Sequence, residues 1–135
     1  REDYETIRWM QDHIQGSPVI MEGYVSEYRW GGRYAINTGL PAVLGWNHHQ
    51  RQQREFVPGN DVWGRMGDVN LFYDTLDLAE VETLLEKYAV SYIVVGQMEQ
   101  AVYTAEGLAK FGAQDGVLWR EVFRVGDTAV YEVIR

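Results

Sequence analysis

Between Arg29 and Arg54 the chain carries Arg29, Arg33, Arg51 and Arg54 and not one Asp or Glu. The segment is therefore +4 in a protein of formal charge −8, which leaves −12 on the remainder. His48 and His49, all but one of the histidines, fall within it, as do Trp30 and Trp46. Guanidinium forks and exposed backbone N–H groups both favour anions, so glycines, arginines, an aromatic and histidines together in a loop suit a phosphate or carboxylate group. The candidate ligand-binding residues are Arg29, Arg33, Trp46, His49, Arg51 and Arg54, joined by Glu22 in the short apolar run just upstream. The competing account pairs these arginines with the acidic remainder of the chain.

Other chemistries have less support. Adjacent histidines diverge by about 100° on a helix and face opposite sides of a strand, so one metal ion does not readily take both His48 and His49. Glu22 with one of them gives a two-residue constellation for a ligand or an acid/base pair, short of a metal site, and neither a metal nor a cofactor is expected. Phosphate-loop, nucleophile-elbow, zinc-protease and dinucleotide signatures are absent. Asp68, Asp74 and Asp77 cluster in sequence as oxygen ligands for a hard cation, but Asp77 has the position of a helix cap. Tyr24, Tyr28, Trp30 and Tyr34 offer flat apolar faces with polar edges, as a sugar-stacking surface would.

These residues need elements to hold them. Tyr4, Ile7, Met10 and Ile14 recur at helical spacing, and Gly16 and Pro18 stop that helix. Val19 to Val25 reads as a strand, and residues 29–54 and 57–67 as loop-rich, with a short helix near Asn47. Asp77 and Glu80 have capping-pair spacing ahead of the stripe Leu78, Val81, Leu84, Leu85 and Tyr88. Ser91 to Val95 is an apolar run ended by Gly96, as expected of a strand covered on both faces. Tyr103 to Phe111 gives a weaker helix. Leu118 to Val125 and Thr128 to Ile134 make an antiparallel hairpin about Gly126-Asp127, with one face solvated. The expected fold is α/β: one domain over 1–135, a mixed β-sheet flanked by helices near 2–15 and 77–89 and closed by the C-terminal hairpin.

At 135 residues the chain has the size of one domain, and 46% apolar residues supply a core. The charge of −8 argues against nucleic acid and anionic lipid surfaces as general partners. The absence of cysteine removes disulfides, thiolate metal sites and cysteine nucleophiles. No apolar run has the length of a membrane span. The chain opens on Arg1 inside a helical pattern, so a segment of a longer polypeptide is expected.

The stretch Gly39-Leu40-Pro41-Ala42-Val43-Leu44-Gly45-Trp46-Asn47-His48-His49-Gln50-Arg51-Gln52-Gln53-Arg54 resembles a signature of the DUF2298 family, also called the YYY membrane proteins. Leu71 to Thr75 and Leu84 to Gly96 resemble that family's second signature. The family is similar to polytopic glycosyltransferases of the GT-C type, which take a sugar from a polyprenyl-phosphate carrier on the outer side of the membrane. The resemblance implies a soluble, extracytoplasmic C-terminal domain that recognises substrate or acceptor beside its own transmembrane region and is not catalytic alone. Its implied partners are that region and a polyprenyl-phosphate sugar or glycan acceptor. Gln50 and Gln53 depart from the Glu and Trp that the signature leads one to expect, so a catalytic role for that Glu would be lost here. The alternative is a structural or protein-interaction domain packed on its own membrane part, and a small enzyme using Glu22 and His49 is a third reading.

Overall fold

A computed structural model describes residues 2–16, 18–23, 38, 43 and 62–134. The described elements are α1 (Glu2–His13), β1 (Val19–Met21), α2 (Val62–Asp74), α3 (Leu78–Lys87), β2 (Val90–Val95), α4 (Gln97–Val102), α5 (Ala105–Ala113), β3 (Trp119–Val125) and β4 (Thr128–Val133). The four strands form one mixed sheet in the order β1-β2-β4-β3. β1 runs parallel to β2, and β4 pairs antiparallel with both β2 and β3. The expected α/β domain with a C-terminal hairpin is therefore present, and Gly126 turns the hairpin at φ 56°.

Both faces of the sheet are covered. On one, α1 lays Met10 against Ile20, Val94 and Val130, with Trp9 stacked on Phe123 at 5.1 Å. On the other, α2, α3 and α5 deliver Val69, Phe72, Tyr73, Val81, Leu84, Leu85 and Phe111 to Met21, Ile93, Val95, Trp119 and Tyr131. Successive strand residues point to opposite faces, so Ile93 and Val94 feed different layers. The strand at 91–95 is thus covered on both faces, as its unbroken apolar run indicates. The solvated face expected of the hairpin is carried by β3 and, on β4, by Glu132 opposite Arg120. β4 is buried from Thr128 to Tyr131 because it lies between β2 and β3, while Arg120 and Arg124 stand exposed on the edge strand.

Local chemistry explains several boundaries. Asp77 caps α3 by accepting the Ala79 N–H at 3.0 Å. Glu80 does not complete a capping box; its Oε1 accepts the Thr75 hydroxyl at 2.7 Å, and the Thr75 oxygen accepts the Asp77 N–H. The helix ends at Lys87, two residues before the expected Ala89, which adopts φ 53° so that the chain can turn into β2. Tyr4 is not part of the buried stripe of α1: it is 63% exposed, its hydroxyl accepts from Arg8, and Thr6 is buried instead. Residues 62–67 belong to α2 rather than to an irregular stretch. The helix expected over 103–111 is shifted to 105–113, because Tyr103 is extended and Thr104 caps α5 by accepting the Gly107 N–H at 3.0 Å.

The helical layer is locked by polar contacts between elements. α5 approaches α2 so closely that a Cβ on Gly107 would meet the Tyr73 carbonyl oxygen at 2.4 Å. Lys110 donates to that same carbonyl, one that the end of α2 leaves unpaired, at 2.7 Å, and to Gly107 O within its own helix at 2.9 Å. Trp119, fully buried, donates its indole N–H to Phe111 O at 2.9 Å and fixes α5 to the hairpin.

Candidate functional site

Strands β1 and β2 end side by side, and the carboxyl end of a parallel strand pair is where open α/β sheets receive ligands. Glu22 and Gly23 follow β1, Gly96 follows β2, and the chain passes from Gly23 towards the arginine-rich segment. Glu22 is 4% exposed, an unusual place for a carboxylate and one that a partnered group occupies.

Glu99 of α4 ties the two strand ends together. Its side chain is fully buried; Oε2 accepts the Gly23 N–H and Oε1 the Gly96 N–H, both at 2.8 Å. Gly96 is the N-cap and Glu99 the third helical residue, so the second bond is one half of a capping box, with no side chain on Gly96 to return it. The first bond reaches across to the other strand. A carboxylate with both oxygens engaged by backbone donors from two strand ends acts as a clamp between them.

Two further side chains close the strand ends. The Tyr73 hydroxyl lies 3.0 Å from Met21 O and 2.7 Å from Val94 O, so it can donate to the last carbonyl of β1 or the penultimate one of β2. Tyr103 stacks on Tyr73 with ring centroids 4.7 Å apart and donates its hydroxyl to Asn70 Oδ1 at 2.8 Å. A Cβ on Gly23 would stand 2.8 Å from the Tyr103 ring, so the ring passes over the Gly23 backbone, and only glycine admits it there.

Of the candidate ligand-binding residues, Glu22 alone is among the described residues. Arg29, Arg33, Trp46, His49, Arg51 and Arg54 lie outside them, as do His48, the aromatic set at 24–34 and the short helix near Asn47. Within the interval the structure describes Thr38 and Val43, both helical. Val43, 1% exposed, belongs to the core cluster that holds Met21 and Tyr73. The acidic cluster is divided among separate structural partners: Asp68 accepts from Lys87 and Tyr88, Asp74 accepts the Thr104 N–H, and Asp77 caps α3. Sequence reading missed Glu99, Tyr73 and Tyr103. For Glu99 the usable signal was Gly96-x-x-Glu99 directly after an apolar strand; for the tyrosines no local signal exists, because their partners lie tens of residues away.

No family model and no curated protein sequence matches the chain. In fold it is similar to the C-terminal globular domain of an oligosaccharyltransferase from Archaeoglobus fulgidus, with 15% identity and a TM-score of 0.63 over 99% of this chain and 98% of that one. A second structure of the C-terminal globular domain of oligosaccharyltransferase from the same organism matches at 15% identity and a TM-score of 0.54, over 99% and 96% of the two chains. At that identity what is shared is the fold. No helix among the described residues is long and apolar enough to cross a membrane.

Proposed function

We propose that this chain is an accessory, substrate- or acceptor-recognising domain of a membrane-embedded glycosyltransferase that uses a polyprenyl-phosphate-linked sugar, and that it is not catalytic alone. The observation that carries the reading is end-to-end likeness in fold to a C-terminal globular domain of oligosaccharyltransferase, spanning 99% of one chain and 98% of the other. The resemblance of residues 39–54 to a membrane family of GT-C type points the same way from sequence. In this reading the chain lies on the extracytoplasmic face beside its own transmembrane region. The arginine segment, launched from the clamped end of β1, presents Arg29, Arg33, Arg51 and Arg54 with Trp46 and His49 to a carrier phosphate or to the acceptor.

A second reading is favoured by two observations, the burial of Glu22 and of Val43. Here the segment is a structural clasp, and the domain serves to pack on its membrane part.

Titration of the 135-residue chain with a water-soluble polyprenyl-phosphate analogue and with simple sugars, followed by backbone amide shifts at low and moderate salt, separates the two. Saturable shifts confined to residues 29–54 support recognition. Absence of shifts at millimolar ligand leaves the clasp. In a parent polypeptide, Arg54→Ala should reduce sugar transfer with little change in the chain's melting temperature; a large loss of stability instead marks Arg54 as structural.

A further inference from the structure

Away from the strand ends, α3 and the last strand enclose a groove of about 300 Å³ lined by Glu82, Leu85, Glu86, Leu118, Val133 and Ile134. Its floor is apolar and continuous with the core, because Leu85 is buried and Leu118 and Val133 pack against the same cluster. The Ile134 N–H bonds Leu118 O at 3.0 Å and holds the two apolar side chains abreast; Ile134 is 41% exposed and neighbouring Val117 63%. Along one wall Glu82 and Glu86 stand one helical turn apart, both exposed, and neither carboxylate makes an ion pair with another described residue. The cation next in sequence, Lys87, is engaged by Asp68 at 2.8 Å.

We infer that this groove is a docking surface for a cationic amphipathic polypeptide segment, seated by its apolar side chains and oriented by Lys or Arg facing Glu82 and Glu86. The inference rests on the reading of the chain as an accessory domain, since such a domain needs a surface by which its parent holds it. Charge sign selects the occupant. An anionic membrane surface is repelled by the same two carboxylates. A second copy seated about a two-fold axis brings Glu82 and Glu86 against their own equivalents, which disfavours self-pairing. A segment with apolar residues at helical spacing and basic residues beside them satisfies both the floor and the wall.

The test uses the 135-residue chain and a synthetic Leu/Lys peptide of about 18 residues with its leucines on one helical face, titrated at low salt and followed by amide shifts. Saturable shifts at Leu85, Leu118, Val133 and Ile134 are expected. The double variant Glu82→Lys/Glu86→Lys should weaken binding about tenfold or more. Because an acidic protein attracts any cationic peptide, a charge-matched control, Glu5→Lys/Asp12→Lys on exposed positions of α1, should change it less than about twofold. Shifts centred elsewhere, equal loss in both double variants, or concentration-dependent dimerisation that Val133→Glu abolishes would each overturn the inference. None of those results touches the glycosyltransferase reading, which is judged by sugar transfer.

Discussion

Replacing Lys110 by Met should erase a pH dependence of stability expected of the wild-type chain between pH 7 and 9.5. Lys110 is 7% exposed, donates to two backbone carbonyls and lies against the Phe111 ring, and burial lowers its pKa to about 8, with Asp74 opposing the change. In the unfolded chain an ordinary lysine titrates near 10.5. Between those two values the unfolded state binds more protons, so stability rises with pH there and is level below about pH 7. Integrating the proton difference from pH 7 to 9.5 gives a gain of about 2 kcal/mol. Tyr92 and Tyr131, both raised chiefly by burial, work in the opposite sense: their contribution is intact below pH 10 and is lost as pH climbs through their folded values. Measurement should therefore stop at pH 9.5. Urea unfolding followed by tryptophan fluorescence at closely spaced pH values measures the slope, and the difference between wild type and Lys110→Met cancels every other titrating group. Parallel curves for the two proteins would refute the reasoning, because they would mean that the ammonium group is solvated in the native state.

Gly107→Ala should destabilise the chain by about 2–3 kcal/mol in the same assay, since the new methyl group meets backbone of α2 at 2.4 Å and no side chain can swing away. Ala89→Gly should do the reverse, adding about 1 kcal/mol, because Ala89 is exposed and holds φ 53°, a conformation that disfavours a Cβ. Glu99→Gln places an amide NH₂ against a backbone N–H at Gly23 or Gly96; a loss of about 2–3 kcal/mol is expected, with the larger increase in hydrogen exchange at those two amides.

What the sequence disclosed was local. α3 was legible because its cap and its apolar stripe lie within one dozen residues, and the Gly126-Asp127 turn placed the closing hairpin for the same reason. The run at 91–95 declared its double burial by having no polar face. What escaped depended on distant neighbours. Tyr4 has the spacing of a buried position, but the face of α1 that meets the sheet is set by Met10 and Trp9 against β3 and β4. Nothing in Thr128 to Tyr131 announces a central strand, since its position follows from pairing with β2 across some thirty residues. Of the candidate site, Glu22 was readable as a carboxylate at a strand end, whereas its clamp, Glu99, lies 76 residues from the amide it holds.

The order β1-β2-β4-β3 also dictates a sequence of events during synthesis. The parallel pair joins Val19 to Val90, so its nucleation must close a loop of about seventy residues before any contact repays the lost entropy. β2 then keeps one edge open until β4, translated after every other strand, slides in beside it. A nascent chain that has emerged only as far as β2 therefore presents unpaired backbone along an apolar strand, the form of edge that recruits chaperones or other chains. Completion of the sheet accordingly waits for β4, and slow translation after residue 95 would prolong the interval in which the β2 edge stands open.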